Sequence, residues 1–586
     1  MVLNDREKSP RPDFYRKEWI DLNGEWSFAF DDKQEGIARK WFRKIPEGKK
    51  IKVPFCYQCK ESGIGEKEIH KHLWYEKAVP LTPEMKEKRL WLHFGAADQN
   101  TKVWINGMEA GIHKGGFTPF SFSVSEYIAA DDEQMRITVY CNDGNDEVQV
   151  RGKQHWNKET DRCWYTPTSG IWQNVWMEMT GEIRLERIAV TPDIESKVAD
   201  ARIFLSDFPQ SGVVKWSVSL EGRRISEGQQ SITGKRDRFL IPVRNEDVID
   251  NRSGLWEPSH PVLYNLTVEL WEEEKLYDKI ETYFGMRKIE CRDGVIYLNH
   301  VPLYQKLVLD QGYWKDTLMT PRDSEALLKD VLLVKEMGFD GVRKHQKLED
   351  PRFLYYADKV GLLVWEEIPS GYEFSDVAIR ELLDTCVEMV ERDYNHPCII
   401  TWVPFNESWG IRDVFWDERQ QHYAESLYHL LHAVDHTRLV STNDGWEAVR
   451  ADMIGIHDYE NCGKKLAEKF CDRERLLSAN AVDKMILSAT AQDNGEPVFL
   501  SEFGGIAVED GDDTSWGYHE KAKNSEELLE KMKELFDAVS SISYLRGYCY
   551  TQLTDVEQET NGIVDADRRP KVDIKKFREI IQNSGT

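Results

Sequence analysis

A chain of 586 residues has room for roughly three or four domains, and 40% hydrophobic with 31% charged residues is the make-up of a soluble globular protein. A formal net charge of -26 argues against nucleic acid or an anionic membrane as partner. No apolar run of about 18 residues occurs, and the charged stretch Met1–Lys8 lacks an apolar signal core, so no membrane span and a cytoplasmic location are expected.

The first 180 residues read as all-β. Runs such as Arg89–Phe94 and Lys102–Ile105 are apolar or aromatic, and Asn23-Gly24 and Asn106-Gly107 are hairpin-turn signals. Of the ten cysteines, only Cys56 and Cys59 stand at a metal-type spacing. With no second such pair, neither a metal nor a cofactor is expected, and the thiols read as reduced. Twenty Trp and 23 Tyr suit sugar stacking but suit a β-core equally well. Short strands continue through Val213–Leu220, Arg238–Val243 and Val262–Trp271, a spacing that suits an immunoglobulin-like sandwich.

Near Gly285-Met286-Arg287 the pattern changes to strands alternating with helices. Residues 323–337 carry apolar positions at 327, 328, 331, 332 and 334 and end at Gly338. Residues 525–539 place Leu528, Leu529, Met532, Leu535 and Phe536 on one side. Strands are predicted at 303–309, 341–344, 362–366, 399–403, 439–442, 453–457, 497–502 and 547–551, the count of a (β/α)8 TIM barrel. The expected fold is multidomain: an N-terminal jelly-roll β-sandwich (1–181), an immunoglobulin-like β-sandwich (182–287) and a C-terminal TIM barrel (288–586).

Glu407 and Glu502 follow two of the apolar runs, at the ends of candidate strands four and seven. A carboxylate beside that much apolar surface needs a partner or a task. Two of them at the C-terminal face of a barrel can flank one sugar ring, as glycoside cleavage requires. Pro404, Phe405 and Trp409 suggest a desolvated setting for Glu407, and Gly504-Gly505 suggests room for a ligand beside Glu502.

The chain resembles glycoside hydrolase family 2, the β-galactosidases, β-glucuronidases and β-mannosidases. Asp21-Leu22-Asn23-Gly24-Glu25-Trp26, His113–Phe120 and Thr168-Ser169-Gly170-Ile171-Trp172-Gln173 resemble that family's N-terminal domain. Arg392-Asp393-Tyr394-Asn395-His396-Pro397-Cys398-Ile399 followed by Trp402 and Asn406-Glu407 is similar to its acid/base signature. The resemblance implies Glu407 as general acid/base, Glu502 as nucleophile, Asn406 on the sugar 2-hydroxyl and Arg343 beside the nucleophile. It also implies a tyrosine near strand six on the nucleophile, here Tyr459. Better-known members place a His three residues after the arginine. This chain reads Arg343-Lys344-His345-Gln346-Lys347, so His345 is either a ligand contact or a supporting group. Asp310 at the end of strand one is expected to accept two sugar hydroxyls, and Trp446 to sit beyond strand five. His457 and Asp458 are either site residues or a structural pair, and Thr551–Gly562 should rim the pocket.

The sugar is narrowed only in part. β-Glucuronidases of the family read the sugar acid with Asn-x-Lys before a Gly, whereas this chain has Glu559-Thr560-Asn561-Gly562, which disfavours a β-glucuronide. Lys344 and Lys347 near the mouth make a β-galacturonide the alternative to a neutral β-galactoside, the default by family association. A non-catalytic carbohydrate-binding protein is the competing class. An acyl hydrolase is disfavoured by the lack of a Gly-x-Ser-x-Gly with suitable partners. The β-domains are expected to shape the pocket rim and to allow a homo-oligomer.

Overall fold

A computed structural model describes residues 3–243, 253–478, 484–509, 511 and 514–585; Met1 and Val2 of the N-terminal stretch lie outside them. The N-terminal strands form two antiparallel sheets, one of four strands and one of six. Alternating residues of both sheets, among them Trp26, Phe28, Tyr75, Leu92, Phe94 and Val139, meet as one core. Asn106-Gly107 does turn a hairpin, between Asn100–Ile105 and Met108–Lys114, with both residues at positive φ. Asn23-Gly24 does not. It carries the chain from Trp19–Asp21 in the four-stranded sheet to Gly24–Phe30 in the six-stranded one, because the paired partners of these strands lie on opposite layers.

A second sandwich packs a three-stranded sheet (Leu185–Asp193, Val198–Leu205, Arg236–Pro242) on a four-stranded one that includes Gly212–Leu220 and Tyr264–Glu272. The barrel follows. Its strands are Gln305–Asp310, Gly341–Lys344, Leu363–Glu367, Ile399–Val403, Leu439–Val440, Ile454–His457, Val498–Gly504 and Leu545–Thr551. They join in parallel in the order five-four-three-two-one-eight-seven-six. The seam between five and six is bordered by a short parallel pair, Phe405–Asn406 with Asn443–Asp444. Helices cover the outside. Ser324–Met337 starts on the Asp323 side chain and stops at Gly338 in the left-handed region; Leu327, Leu328, Val331 and Val334 are buried, while Leu332 stays exposed. Among the described residues no helix is long and apolar enough to cross a membrane, and all ten cysteines are free.

Buried polar links lock the three parts together. Asp358, on a barrel helix, accepts from Tyr283 of the second sandwich (2.8 Å) and from the Cys398 amide (2.8 Å), and pairs with His396 (2.5 Å). Asn395 bonds the Ile188 carbonyl (2.7 Å) and the Val190 amide (2.8 Å). Asn395-His396-Pro397-Cys398, part of the signature that points to the family, is therefore an interdomain clamp. Arg16 bridges the two sandwiches, meeting Asp278 at 2.8 Å and also pairing with Glu178; all three side chains are buried. Arg16→Met is expected to leave the buried carboxylates of Glu178 and Asp278 without their guanidinium and to destabilise by about 3–5 kcal/mol, seen as an earlier first transition in calorimetry. An unchanged transition would show that the bridge contributes nothing.

Candidate active site

The seventh barrel strand, buried along its whole length, carries Glu502 to the C-terminal face. Gly504 and Gly505 follow at φ +90 and +65. They do not make room for a ligand. A Cβ on Gly504 would stand 2.3 Å from the Tyr550 ring and one on Gly505 2.4 Å from the Tyr518 ring, so these glycines admit aromatic side chains. Tyr518 stacks on Tyr459 with ring centroids 3.5 Å apart, and the Tyr459 hydroxyl donates to Glu502 Oε2. Glu502 Oε1 accepts from Arg343 Nη1 at 2.8 Å.

Glu407 reaches the same space by a strained turn. Glu407 and Ser408 lie at φ 52 and 59, a left-handed conformation that costs about 1 kcal/mol or more per non-glycine residue. Glu407 N–H donates to the Asp444 carbonyl (2.9 Å), Ser408 N–H to Asn443 Oδ1 (3.0 Å) and Ser408 Oγ to Glu447 (2.6 Å). These bonds hold the turn and aim the Glu407 carboxyl at His457 Nδ1, 2.8 Å away. The Glu407 side chain is 19% exposed and that of Glu502 5%, so the acid on strand four has the wetter side of the cleft.

Beneath the pair lies a dry charged layer. Arg343, with no exposed surface, donates from Nε to Glu367 (2.8 Å), from Nη2 to Asn406 Oδ1 (2.6 Å), and pairs through Nη1 with Asp444 (2.8 Å) as well as Glu502. His457 stands between Glu407 and Asp444 (3.0 Å), with Glu502 at 3.4 Å. Burial opposes its charge, but Glu502, Asp444 and Glu407 together raise its pKa to about 10, so both ring nitrogens carry protons to donate. Burial pushes Glu367 up to about 7 although Arg343 opposes it; Asp444, although buried, is held far below its ordinary value by Arg343 and His457. Glu407, His457 and Glu502 offer ligand atoms within 4.8 Å of one another, the spacing of a cation site. The imidazolium of His457 already supplies the positive charge there.

Sequence models of three successive regions match the chain: "Glycosyl hydrolases family 2, sugar binding domain" over residues 20–179, "Glycosyl hydrolases family 2" over 183–287, and "Glycosyl hydrolases family 2, TIM barrel domain" over 289–584. The chain belongs to glycoside hydrolase family 2. A β-galactosidase of Thermoanaerobacter pseudethanolicus is 26% identical over 68% of this chain, which spans about half (52%) of that relative. A β-glucuronidase of Streptococcus agalactiae is 22% identical over 95% of both. Among solved structures, a Ruminococcus gnavus β-glucuronidase in complex with D-glucuronic acid aligns with a TM-score of 0.79 at 19% identity, covering 98% of this chain and all (100%) of that one. An uncultured Clostridium β-glucuronidase gives 0.78 at 20%, covering 97% and 98%.

Within this family 2 barrel, Glu407, Glu502, Asn406, Arg343 and Tyr459 converge. Other expected site residues do not join them. Lys344 is buried between Asp310 (2.9 Å) and Glu349 (2.6 Å); despite burial, these carboxylates raise its pKa to about 12. Lys347 is buried on Glu349 (2.8 Å) and on the carbonyls of Gly312 (2.6 Å) and Met319 (2.7 Å), and burial pulls its pKa down to about 8. Neither lysine is at the mouth. Asp310 is buried, with Oδ2 on Lys344 and Oδ1 on the Gly312 amide (2.9 Å), so its carboxylate is committed to the ion pair beside the strand. His345 is a buried partner of Glu367 (3.1 Å), held neutral by burial, and supports the layer below. Trp446 packs edge-on to His457 (5.8 Å), with its buried indole N–H unpartnered.

Sequence reasoning missed Glu367 and Asp444 and left His457 open. All three stand at C-terminal strand ends or just beyond, the position that singled out Glu407, so the same rule would have found them. Asp458 pairs with Lys469 (3.1 Å), not with His457. Because His457 is protonated in the fold and has an ordinary value of 6.5, its stabilising effect is complete below about pH 6.5 and is lost as pH rises through about 10. His457→Gln is expected to show its largest urea-unfolding deficit near pH 6 and a steadily smaller one towards pH 10. A deficit independent of pH would remove the charge from His457.

Proposed function

We propose that the protein is a retaining exo-β-glycosidase that removes terminal β-linked sugars by double displacement. One observation carries this: oxygens of Glu407 and Glu502 come within 4.8 Å of each other. Retaining glycosidases hold their carboxyl pair about 5–5.5 Å apart, whereas inverting ones leave about 6.5–9.5 Å for a water. Glu502, fixed by Arg343 and the Tyr459 hydroxyl, attacks the anomeric carbon. Glu407 protonates the departing oxygen, then takes a proton from the water that releases the sugar. Asn406 has its amide oxygen engaged by Arg343, which turns its NH2 into the donor for the neighbouring sugar hydroxyl.

Two poised carboxylates over a buried counter-charge favour an enzyme over a binding protein on the same scaffold. Relatives named β-galactosidase and β-glucuronidase fit the reading and leave both sugars in play.

Glu502→Gln is expected to lower kcat/KM on every aryl β-glycoside by at least about 10³-fold, since a nucleophile cannot be bypassed. Activity near wild type would end the assignment. Glu407→Ala should lose about 10²–10⁴-fold on alkyl glycosides and far less on dinitrophenyl glycosides, whose leaving group needs little protonation. Equal losses on both would remove Glu407 from the acid/base role.

A further inference from the structure

The sequence offered Lys344 and Lys347 as readers of an acidic sugar, and the fold has spent both on Glu349 and Asp310. Another buried lysine lies near the two glutamates, and it comes from a different domain. Between the last long strand of the six-stranded sheet, Gln134–Asn142, and Gly170–Ile171, the N-terminal domain sends an irregular segment across the barrel mouth. The amides of Arg151 and Gly152 both donate to the Ser370 carbonyl at 3.0 Å, beyond strand three. Tyr165 donates its hydroxyl to Glu559 (2.5 Å) and Trp164 stacks on Trp409 (5.5 Å), beyond strands eight and four. Gly152, at φ +60, passes so close to strand two's loop that a Cβ would stand 2.2 Å from the Gln346 carbonyl. The segment therefore touches four of the loops that frame Glu407 and Glu502.

Lys153 is the next residue. Its carbonyl accepts from the Tyr165 amide (2.8 Å), which fixes its backbone. Its side chain runs inward, 5% exposed, with the ammonium 4.8 Å from the centre of the Trp409 ring, two residues past Glu407. Among the described residues no carboxylate lies within ion-pair distance of it. Its ammonium neighbours the Cys163 thiol, which burial pushes up to about 11 and so leaves uncharged, and the carboxylates of Glu559, Glu502 and Glu407 raise the Lys153 pKa against burial. The nearby Glu559 is engaged by Tyr165 and by Asn561 (3.1 Å). A buried ammonium without a carboxylate in ion-pair contact is costly, and this one lies over Trp409 within the electrostatic reach of both Glu407 and Glu502. A neutral sugar has no anion to offer it.

We propose that Lys153 binds the carboxylate of an acidic sugar in the cleft, so that the preferred substrate is a β-uronide. This rests on the glycosidase reading above and deepens it. The recognition site is then shared between domains: the barrel supplies the chemistry and the N-terminal domain supplies the charge that selects the sugar.

The test compares aryl β-galacturonide, β-glucuronide and β-galactoside on wild type, Lys153→Met and Lys153→Arg, with melting curves to establish folding. Wild type is expected to prefer one of the uronides. Lys153→Met should lower the uronide-to-galactoside ratio of kcat/KM by about 10- to 100-fold, the size of one charge-assisted hydrogen bond, through a raised KM, and Lys153→Arg should recover part of it. On wild type alone, free galacturonate or glucuronate should inhibit more strongly than galactose, a readout that needs no variant to fold. A loss confined to kcat with a displaced pH profile would make Lys153 a counter-charge of the two glutamates and overturn the proposal. Preference of wild type for the galactoside, with galactose the stronger inhibitor, would overturn it and leave the glycosidase reading standing. No turnover of any of the three would overturn the proposal, and no turnover of an aryl β-mannoside either would overturn the glycosidase reading with it.

Discussion

The guanidinium of Arg343 is the constraint on which the site depends. It has no exposed surface, and its donors are taken by Glu367, Asn406, Asp444 and Glu502, from the ends of strands three, four, five and seven or the segments just beyond. A planar fork can serve partners in several directions at once, which a lysine ammonium on a flexible stem cannot do with the same geometry. Without it, three carboxylates would face one another in a dry layer. With it, one of them becomes an oriented carboxylate open to the cleft. His457 extends the arrangement sideways, because its two ring N–H groups bridge this layer to Glu407.

That layer explains how Glu407 tolerates its backbone. Left-handed φ at two successive non-glycine residues is unfavourable, and the short parallel pair of Phe405–Asn406 with Asn443–Asp444 is what over-determines it. The strain is local to the turn that presents the acid, and the bonds that offset it come from the segment that also supplies Asp444.

The β-domains are part of the same machine. Tyr283, Ile188 and Val190 grip the barrel through Asp358 and Asn395, and the 145–166 segment lies over the mouth. Family 2 membership is thus written partly in residues that do no chemistry. Asn395-His396-Pro397-Cys398 is legible as a motif because it holds one domain on another, and its distance from the cleft is invisible in the sequence.

Local physics made much of this chain readable. Apolar runs bounded by turn residues placed all eight barrel strands, with ends differing by up to a few residues, and apolar periodicity placed the helices at 324–337 and 525–540, the first with its stop at Gly338. Position at a strand end singled out Glu407 and Glu502. What the sequence could not settle was which charges are spent. Arg343 and Lys344 are adjacent, yet successive strand residues point opposite ways, so one enters the site and the other meets Asp310 and Glu349 outside it. Gly504 and Gly505 announced space without saying that Tyr550 and Tyr518 fill it. Lys153 carried no signal at all, since nothing within its own segment says that it will lie over Trp409, 256 positions away by residue number (409 − 153). Periodicity and turn chemistry act between near neighbours, so the sequence alone determines elements and their ends. Ion pairing and burial act between residues that only folding brings together, so the tertiary structure alone decides which of the many charged groups remain free to meet a substrate.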